Sequence, residues 1–386
     1  MRAQKNKIKK IGVIGTGFIA KGFALALERC DDLVLSKTLT RRPIRSCKDY
    51  PGKNSLTNSV EELIGHSDIV LECSGDAVHA TDVIDKVLKA KKPVVTMNTE
   101  FHVTTGSYFV GKGMVTEAEG DQPGCLAALH ENVTQMGFKP LVYGNVKGFH
   151  NADPTLEDMR FWSGKQGISL PMVTASTDGT KVQFEQALVA NCFGAAIVKE
   201  GMSGLRFDDV TKGAFELLAK ARKIGRPVSD YVINGQSSIR VFIVAEGDPR
   251  QKESLSYLKM GDGPGYLFRQ DVILCHLEIV KTVRRVLNGG GILLDNSKAP
   301  TVSIAALAKH DIPKGHQINH PIGRFDIRGE AVIIKNNPDH VPLGLLSNIV
   351  FKRAVEKGQK ICWDDVEVPD SLALRAWRSI KRRILK

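Results

Sequence analysis

Lys181 and Glu185 stand four residues apart in a run whose apolar spacing predicts a helix from Val182 to Phe193, so they share one helix face. Thr177-Asp178-Gly179-Thr180 precedes them as a glycine turn. A lysine beside carboxylates can protonate or polarise a carbonyl oxygen on which charge develops. Lys181 is therefore the candidate proton donor, with Asp178 and Glu185 to orient it. The same spacing also fits an exposed ion pair worth roughly 0.3–0.5 kcal/mol. Glu117, Glu119 and Asp121 crowd around Gly120, ahead of a helix expected from about Cys125 to Met136. Oxygen ligands at such spacing suit a hard divalent ion such as magnesium or manganese, though capping and solvation are the more ordinary roles for each acid. His276, in Leu274-Cys-His-Leu-Glu278 at the head of a helix, is a candidate near the substrate or a structural histidine.

These groups need a frame, and the frame starts at Ile11-Gly-Val-Ile-Gly15-Thr-Gly17-Phe18-Ile19-Ala20. An apolar run ends in Gly-x-Gly-x-x-Ala and passes into a helix-period run. Gly15 allows a sharp turn, Gly17 a close backbone approach to a pyrophosphate, and Ala20 tight helix–strand packing. The expected ligand is a nicotinamide dinucleotide. The second strand, Leu33 to Leu39, runs into Thr40-Arg41-Arg42. An NAD site places an acid near there, whereas two guanidinium groups suit a 2′-phosphate, so the expected cofactor is NADP (NADPH). Further strands at 68–75 and 93–98 end at Ser74-Gly75 and Asn98-Thr-Glu100. Ligands collect at such strand ends. Ser74 and Gly75 are expected beside the ribose, and Asn98 and Glu100 toward the nicotinamide or as loop caps.

The β-α-β-α-β alternation with short connections predicts an α/β chain built on a doubly wound Rossmann sheet. The expected units are a dinucleotide-binding unit at 1–140, an α+β substrate and dimerisation unit at 141–298, a small β-rich unit at 299–370 and a basic helix or tail at 371–386. The net charge is +12 over 386 residues. Five cations in the first ten residues and six in the last twelve carry nearly all of it, with no acid in either stretch. That pattern gives two basic ends and no broad basic face, which argues against specific nucleic-acid binding. No apolar run approaches the roughly 20 residues of a membrane span. The seven cysteines are scattered, without Cys-x-x-Cys spacing, and suit a reduced, cytoplasmic protein.

Several blocks together resemble homoserine-dehydrogenase-like oxidoreductases with a C-terminal SAF domain. They are the glycine turn, Thr116-Glu-Ala-Glu-Gly-Asp-Gln-Pro-Gly124, Thr177-Asp-Gly-Thr-Lys181, Tyr257-Leu-Lys-Met-Gly-Asp-Gly-Pro264 and Leu274–Glu278. Ala308-Lys-His-Asp-Ile-Pro-Lys-Gly315 and Gly358-Gln-Lys-Ile-Cys-Trp-Asp-Asp-Val366 look like the antifreeze-like β-clip of the SAF fold. The resemblance implies oxidoreduction of a small polar, in some members phosphorylated, carbonyl or sugar, and a homo-oligomer. One branch, the 1-deoxy-D-xylulose-5-phosphate reductoisomerase-like enzymes, adds a divalent metal that holds two substrate oxygens. Homoserine-dehydrogenase-type alcohol oxidation and non-catalytic nucleotide or sugar sensing are the alternatives.

Overall fold

The structure, a computed structural model, describes residues 8–386, so Arg2, Lys5 and Lys7 of the basic N-terminal stretch lie outside the described residues. The chain begins with β1 (Lys9–Ile14), α1 (Phe18–Leu27), β2 (Leu33–Leu39), β3 (Leu56–Thr57), α2 (Val60–Gly65), β4 (Ile69–Glu72), α3 (Ala77–Lys89), β5 (Val94–Thr96), α4 (Thr99–Thr105) and β6 (Val115–Glu117). The six strands are parallel, in the order β3-β2-β1-β4-β5-β6. This is the doubly wound dinucleotide-type order, with its crevice where the order reverses between β1 and β4. The first turns follow their capping residues. Ser59 accepts from the Glu62 N–H at 3.0 Å, and Asp76 accepts from the Val78 and His79 N–H groups. The strand β6 was not expected. It is three residues long, two of them polar, yet wholly buried. The carboxyl edge of the sheet therefore ends in acids twice, at Glu72 on β4 and Glu117 on β6.

A second unit follows: α5 (Gln122–Gln135), β7 (Lys139–Lys147), α6 (Leu156–Gln166), α7 (Leu170–Thr177), α8 (Thr180–Phe193), β8 (Leu205–Arg206), α9 (Val210–Ile224), β9 (Val228–Ile233), β10 (Val241–Glu246), α10 (Lys252–Tyr257) and β11 (Gly265–Gln270). Its sheet runs β11-β10-β7-β9-β8, with β10 antiparallel to both of its neighbours. The period-2 pattern sorts the side chains. Tyr143, Ile243 and Ala245 face α5 and α8, whereas Val142, Val146 and Val232 face α9. Thus α5, expected within the first unit, packs on the second sheet. The next helix, α11 (Ile279–Leu287), returns to the first unit, where Ile279 and Val283 join the core around Ile11, Ala20 and Phe23.

The last stretch holds β12 (Val302–Ala308), β13 (Gln317–Ile318), β14 (Ile327–Ile333), β15 (Ile349–Phe351), β16 (Val366–Glu367) and α12 (Leu372–Leu385). β12 pairs antiparallel with β14, and β15 lies between β13 and β16. This unit is fastened to α8: the Gly329 N–H donates to Thr180 Oγ1 at 2.9 Å and the Ala331 N–H to Gln183 Oε1 at 3.0 Å. The basic end is a docked helix. α12 buries Leu374, Trp377 and Ile380, and packs against α3 and α4, with Arg375, Arg378 and Arg382 exposed. Burial of Trp377 alone contributes about 2–3 kcal/mol.

Candidate functional site

Two assemblies sit at the carboxyl edge of the parallel sheet. The first is the glycine turn. Gly15 has φ +111°, and a Cβ there would lie 3.0 Å from the Cys73 carbonyl oxygen, so only glycine fits. Gly17 opens α1 without a side-chain cap, and a Cβ there would meet nothing within 4 Å. The start of α1 thus has no capping side chain and leaves open space beside Gly17, as a helix N-terminus that takes an anion does. Ala20 is fully buried against the sheet. Ile19 is part-buried at the same core, and Phe18 is half exposed. His276 does not join Lys181: its ring packs on α1, edge to Phe18 with centroids 5.6 Å apart. Burial there makes the imidazole less basic than usual.

The two arginines after β2 are placed but already engaged. Arg41 pairs with Asp76 at 2.8 Å, and Arg42 donates to Thr16 Oγ1 at 2.8 Å. Burial would raise the Asp76 carboxyl, but the His79 N–H and the Arg41 guanidinium outweigh it and hold it below the usual range. Ser74 donates through its N–H and its hydroxyl to Glu72, and Gly75 follows at φ +68°. Asn98 caps α4 by accepting from the Phe101 N–H at 3.0 Å, while its buried Nδ2 has no partner.

The second assembly surrounds Lys181, the second residue of α8. Its nearest acid is Asp121, 3.7 Å from Nζ. Asp121, then Glu185 and Glu100, hold the ammonium well above the usual lysine range against the opposing effect of burial. Asp121 gets there through a tight passage: Gly120 has φ +106°, and a Cβ would lie 2.0 Å from the Cys275 carbonyl oxygen. Glu185 is fully buried, accepts from Asn145 Nδ2 at 2.7 Å and lies 3.4 Å from Lys147 Nζ. Glu100 is pushed up by burial, with Lys181 opposing.

Behind this ring lie Glu117 and Glu72, both fully buried. Burial, then Asp121 and Glu100, raises Glu117 far above an ordinary carboxyl. Burial lifts Glu72 to about 7 even though Ser74 pulls the other way. His102, 3.4 Å from Glu117, is driven down to about 3 by burial. So many buried carboxyls around one ammonium do not all ionise together. Burial thus favours the protonated form of Glu117, and Glu117, His102, Glu185 and Asn145 each keep a buried polar atom without a hydrogen-bond partner.

Two expectations are corrected. Asp178 does not orient Lys181 directly: its Oδ2 is bound by Lys309 Nζ at 2.7 Å, and its Oδ1 accepts from the Thr180 N–H at 2.9 Å. Glu117, Glu119 and Asp121 do not converge on one ion. Glu119 turns away to pair with Lys281, Glu117 faces His102, and Asp121 faces Lys181. Among the described residues no group of three or more His, Cys, Asp or Glu is placed to hold a metal, so the residues present do not fit a metal centre. The sequence reading missed Glu72, His102, Asn145, Lys147 and Lys309. Glu72 and His102 carried one overlooked signal, a charged or polar residue within an apolar strand or a buried helix.

Residues 120–279, which contain Asp121, Lys181 and Glu185, match the family described as "Oxidoreductase DRL, catalytic domain". No curated protein matches the chain. Among solved structures, a homoserine dehydrogenase from Thiobacillus denitrificans is 13% identical, with 92% of this chain and 99% of that one covered, at a TM-score of 0.48. A probable dehydrogenase from Thermotoga maritima is 19% identical over 74% and 91% of the two chains, at 0.40. An NAD-binding protein from Listeria innocua is 10% identical over 75% and 90%, at 0.39. Among the described residues no helix is long and apolar enough to cross a membrane. The segment that carries Lys181 matches an oxidoreductase catalytic domain and lies against a dinucleotide-type sheet; on that ground the chain is an oxidoreductase.

Proposed function

We propose that the chain interconverts a carbonyl and an alcohol on a small polar substrate with NADPH. The observation that carries the reading is an ammonium, Lys181, held among buried acids at the sheet edge where the glycine turn also opens. Gly15, Gly17 and the first turn of α1 would hold a nicotinamide nucleotide, which would supply a hydride when bound. Lys181 donates to the substrate oxygen as charge grows there, and gives its proton to the alkoxide. Asp121 keeps that ammonium charged and in place. Glu117, whose carboxyl burial holds well above the usual range, and Asn98, at the start of α4, lie at the same sheet edge and would border a polar substrate. Arg41 and Arg42 support NADP over NAD, because each can turn from its present partner to a phosphate.

The small antiparallel sheets of residues 299–370 support the β-clip reading of that unit. Glu117, Glu119 and Asp121 point to three different partners, so the metal-using, rearranging branch of the resembled group gains no support from them. The test is a screen of polar carbonyls and polyols for NADPH turnover, followed by Lys181→Ala. The variant is expected to lose about 10²–10⁴-fold in kcat with unchanged NADPH affinity. Unchanged turnover in Lys181→Ala would remove the catalytic role. A chain that binds NADPH but turns over nothing in the screen would point to a sensor.

A further inference from the structure

We infer that Lys309, contributed by the C-terminal β-rich unit, is a positioning residue for Lys181, acting through Asp178. The inference builds on the role given to Lys181 above, and its geometry stands independently.

The Lys309–Asp178 pair is almost completely buried, with side-chain exposures of 1% and 0%. Lys309 Nζ donates to Asp178 Oδ2 at 2.7 Å and to the Arg324 carbonyl at 2.8 Å, so two bonds fix the ammonium. With its other oxygen Asp178 accepts the Thr180 N–H, the first of α8. The neighbouring contacts hold the same turn. Gly179 has φ +86°, with His150 so close that a Cβ would lie 2.8 Å from Nε2, and Thr180 Oγ1 accepts the Gly329 N–H. Lys181 is the next residue. The direction in which α8 leaves the turn therefore sets where the Lys181 ammonium points, and that turn is closed by a cation from a segment 131 positions away. A buried carboxylate that loses its cation is strongly destabilised where it stands, so Asp178 would move out and carry the turn with it.

Plain electrostatics and positioning predict opposite signs. Lys181 faces Asp121, Glu100, Glu185 and Cys275. Removing a nearby cation without moving anything makes Lys181 hold its proton more tightly. Swinging Lys181 away from Asp121 makes it hold its proton less tightly. The experiment is NMR titration of the lysine ¹³Cε signals in the full chain labelled biosynthetically with ¹³C-lysine, with the Lys181 signal assigned from Lys181→Arg. In Lys309→Met the titration midpoint is expected to fall by about one pH unit or more, roughly a tenfold loss of proton affinity. NADPH affinity is expected to stay as in wild type, because the glycine turn is a separate assembly. A midpoint that rises or stays put in folded Lys309→Met overturns the inference. Should that variant fail to fold, Lys309→Met/Asp178→Asn leaves no buried lone charge. It is expected to titrate between wild type and the ordinary lysine value, and a wild-type midpoint overturns the inference. Unchanged turnover in Lys181→Ala would sink the catalytic reading while leaving this titration result intact.

Discussion

The glycine turn and the Lys181 cluster share one edge of one sheet and are built on opposite principles. The turn is a backbone device: a glycine at φ +111° leads into a helix start that no side chain caps. The cluster is a side-chain device: Asp121, Glu100, Glu185, Glu117 and Glu72 arrive from five places in the chain, and all are buried. A backbone site holds a ligand without asking any side chain to titrate. A buried side-chain site spends folding stability to keep its groups in uncommon protonation states. The chain thus separates holding from chemistry, and substitutions are expected to separate them too.

The largest effect is expected at the turn. Gly15→Val places a branched side chain at a left-handed φ against the Cys73 carbonyl. NADPH affinity should fall at least about 100-fold, an estimate from backbone strain and lost anion contact. Lys181 should titrate as before, and a variant that binds like wild type would deny the turn its role.

The next effect belongs to the cluster and depends on pH. Below pH 4.5 the Glu72 carboxyl is protonated in both folded and unfolded chains. As pH rises toward about 7 only the unfolded chain gives up that proton, so the folded state loses stability across the window. Glu72→Gln should therefore gain stability relative to wild type between pH 4.5 and 8, by on the order of 3 kcal/mol. Denaturant unfolding at both pH values measures it, and a pH-independent difference would count against a neutral Glu72. Glu117→Gln should move in the same direction.

The comparison also explains what was legible in the sequence. The turn could be read because its residues are consecutive and each glycine has a local steric reason. The strands β1 and β2 and the helices α3 and α8 could be read from periodicity, within a residue or two. β6 was missed because three residues, two of them polar, carry no strand signal of their own. The cluster was half seen. Lys181 and Glu185 share a helix face, but Asp121 was assigned to a metal and Asp178 to Lys181. The actual partners, Lys181 for Asp121 and Lys309 for Asp178, lie 60 and 131 positions away. No local pattern reveals which distant cation a buried carboxylate meets.

The smallest expected effect concerns the choice between cofactors. Arg42→Ala should weaken NADPH by about tenfold, the value of one charge-assisted hydrogen bond, and leave NADH nearly unchanged. Equal losses for both nucleotides would mean that Arg42 supports the turn through Thr16 without reading a phosphate.

The most direct measurement is calorimetric titration of NADPH into wild type, Gly15→Val and Lys181→Ala side by side. The account predicts that wild type and Lys181→Ala bind alike and that Gly15→Val does not bind. Wild-type chain that takes up neither NADPH nor NADH, or a loss of binding in Lys181→Ala that matches Gly15→Val, would contradict the division of labour between the two assemblies.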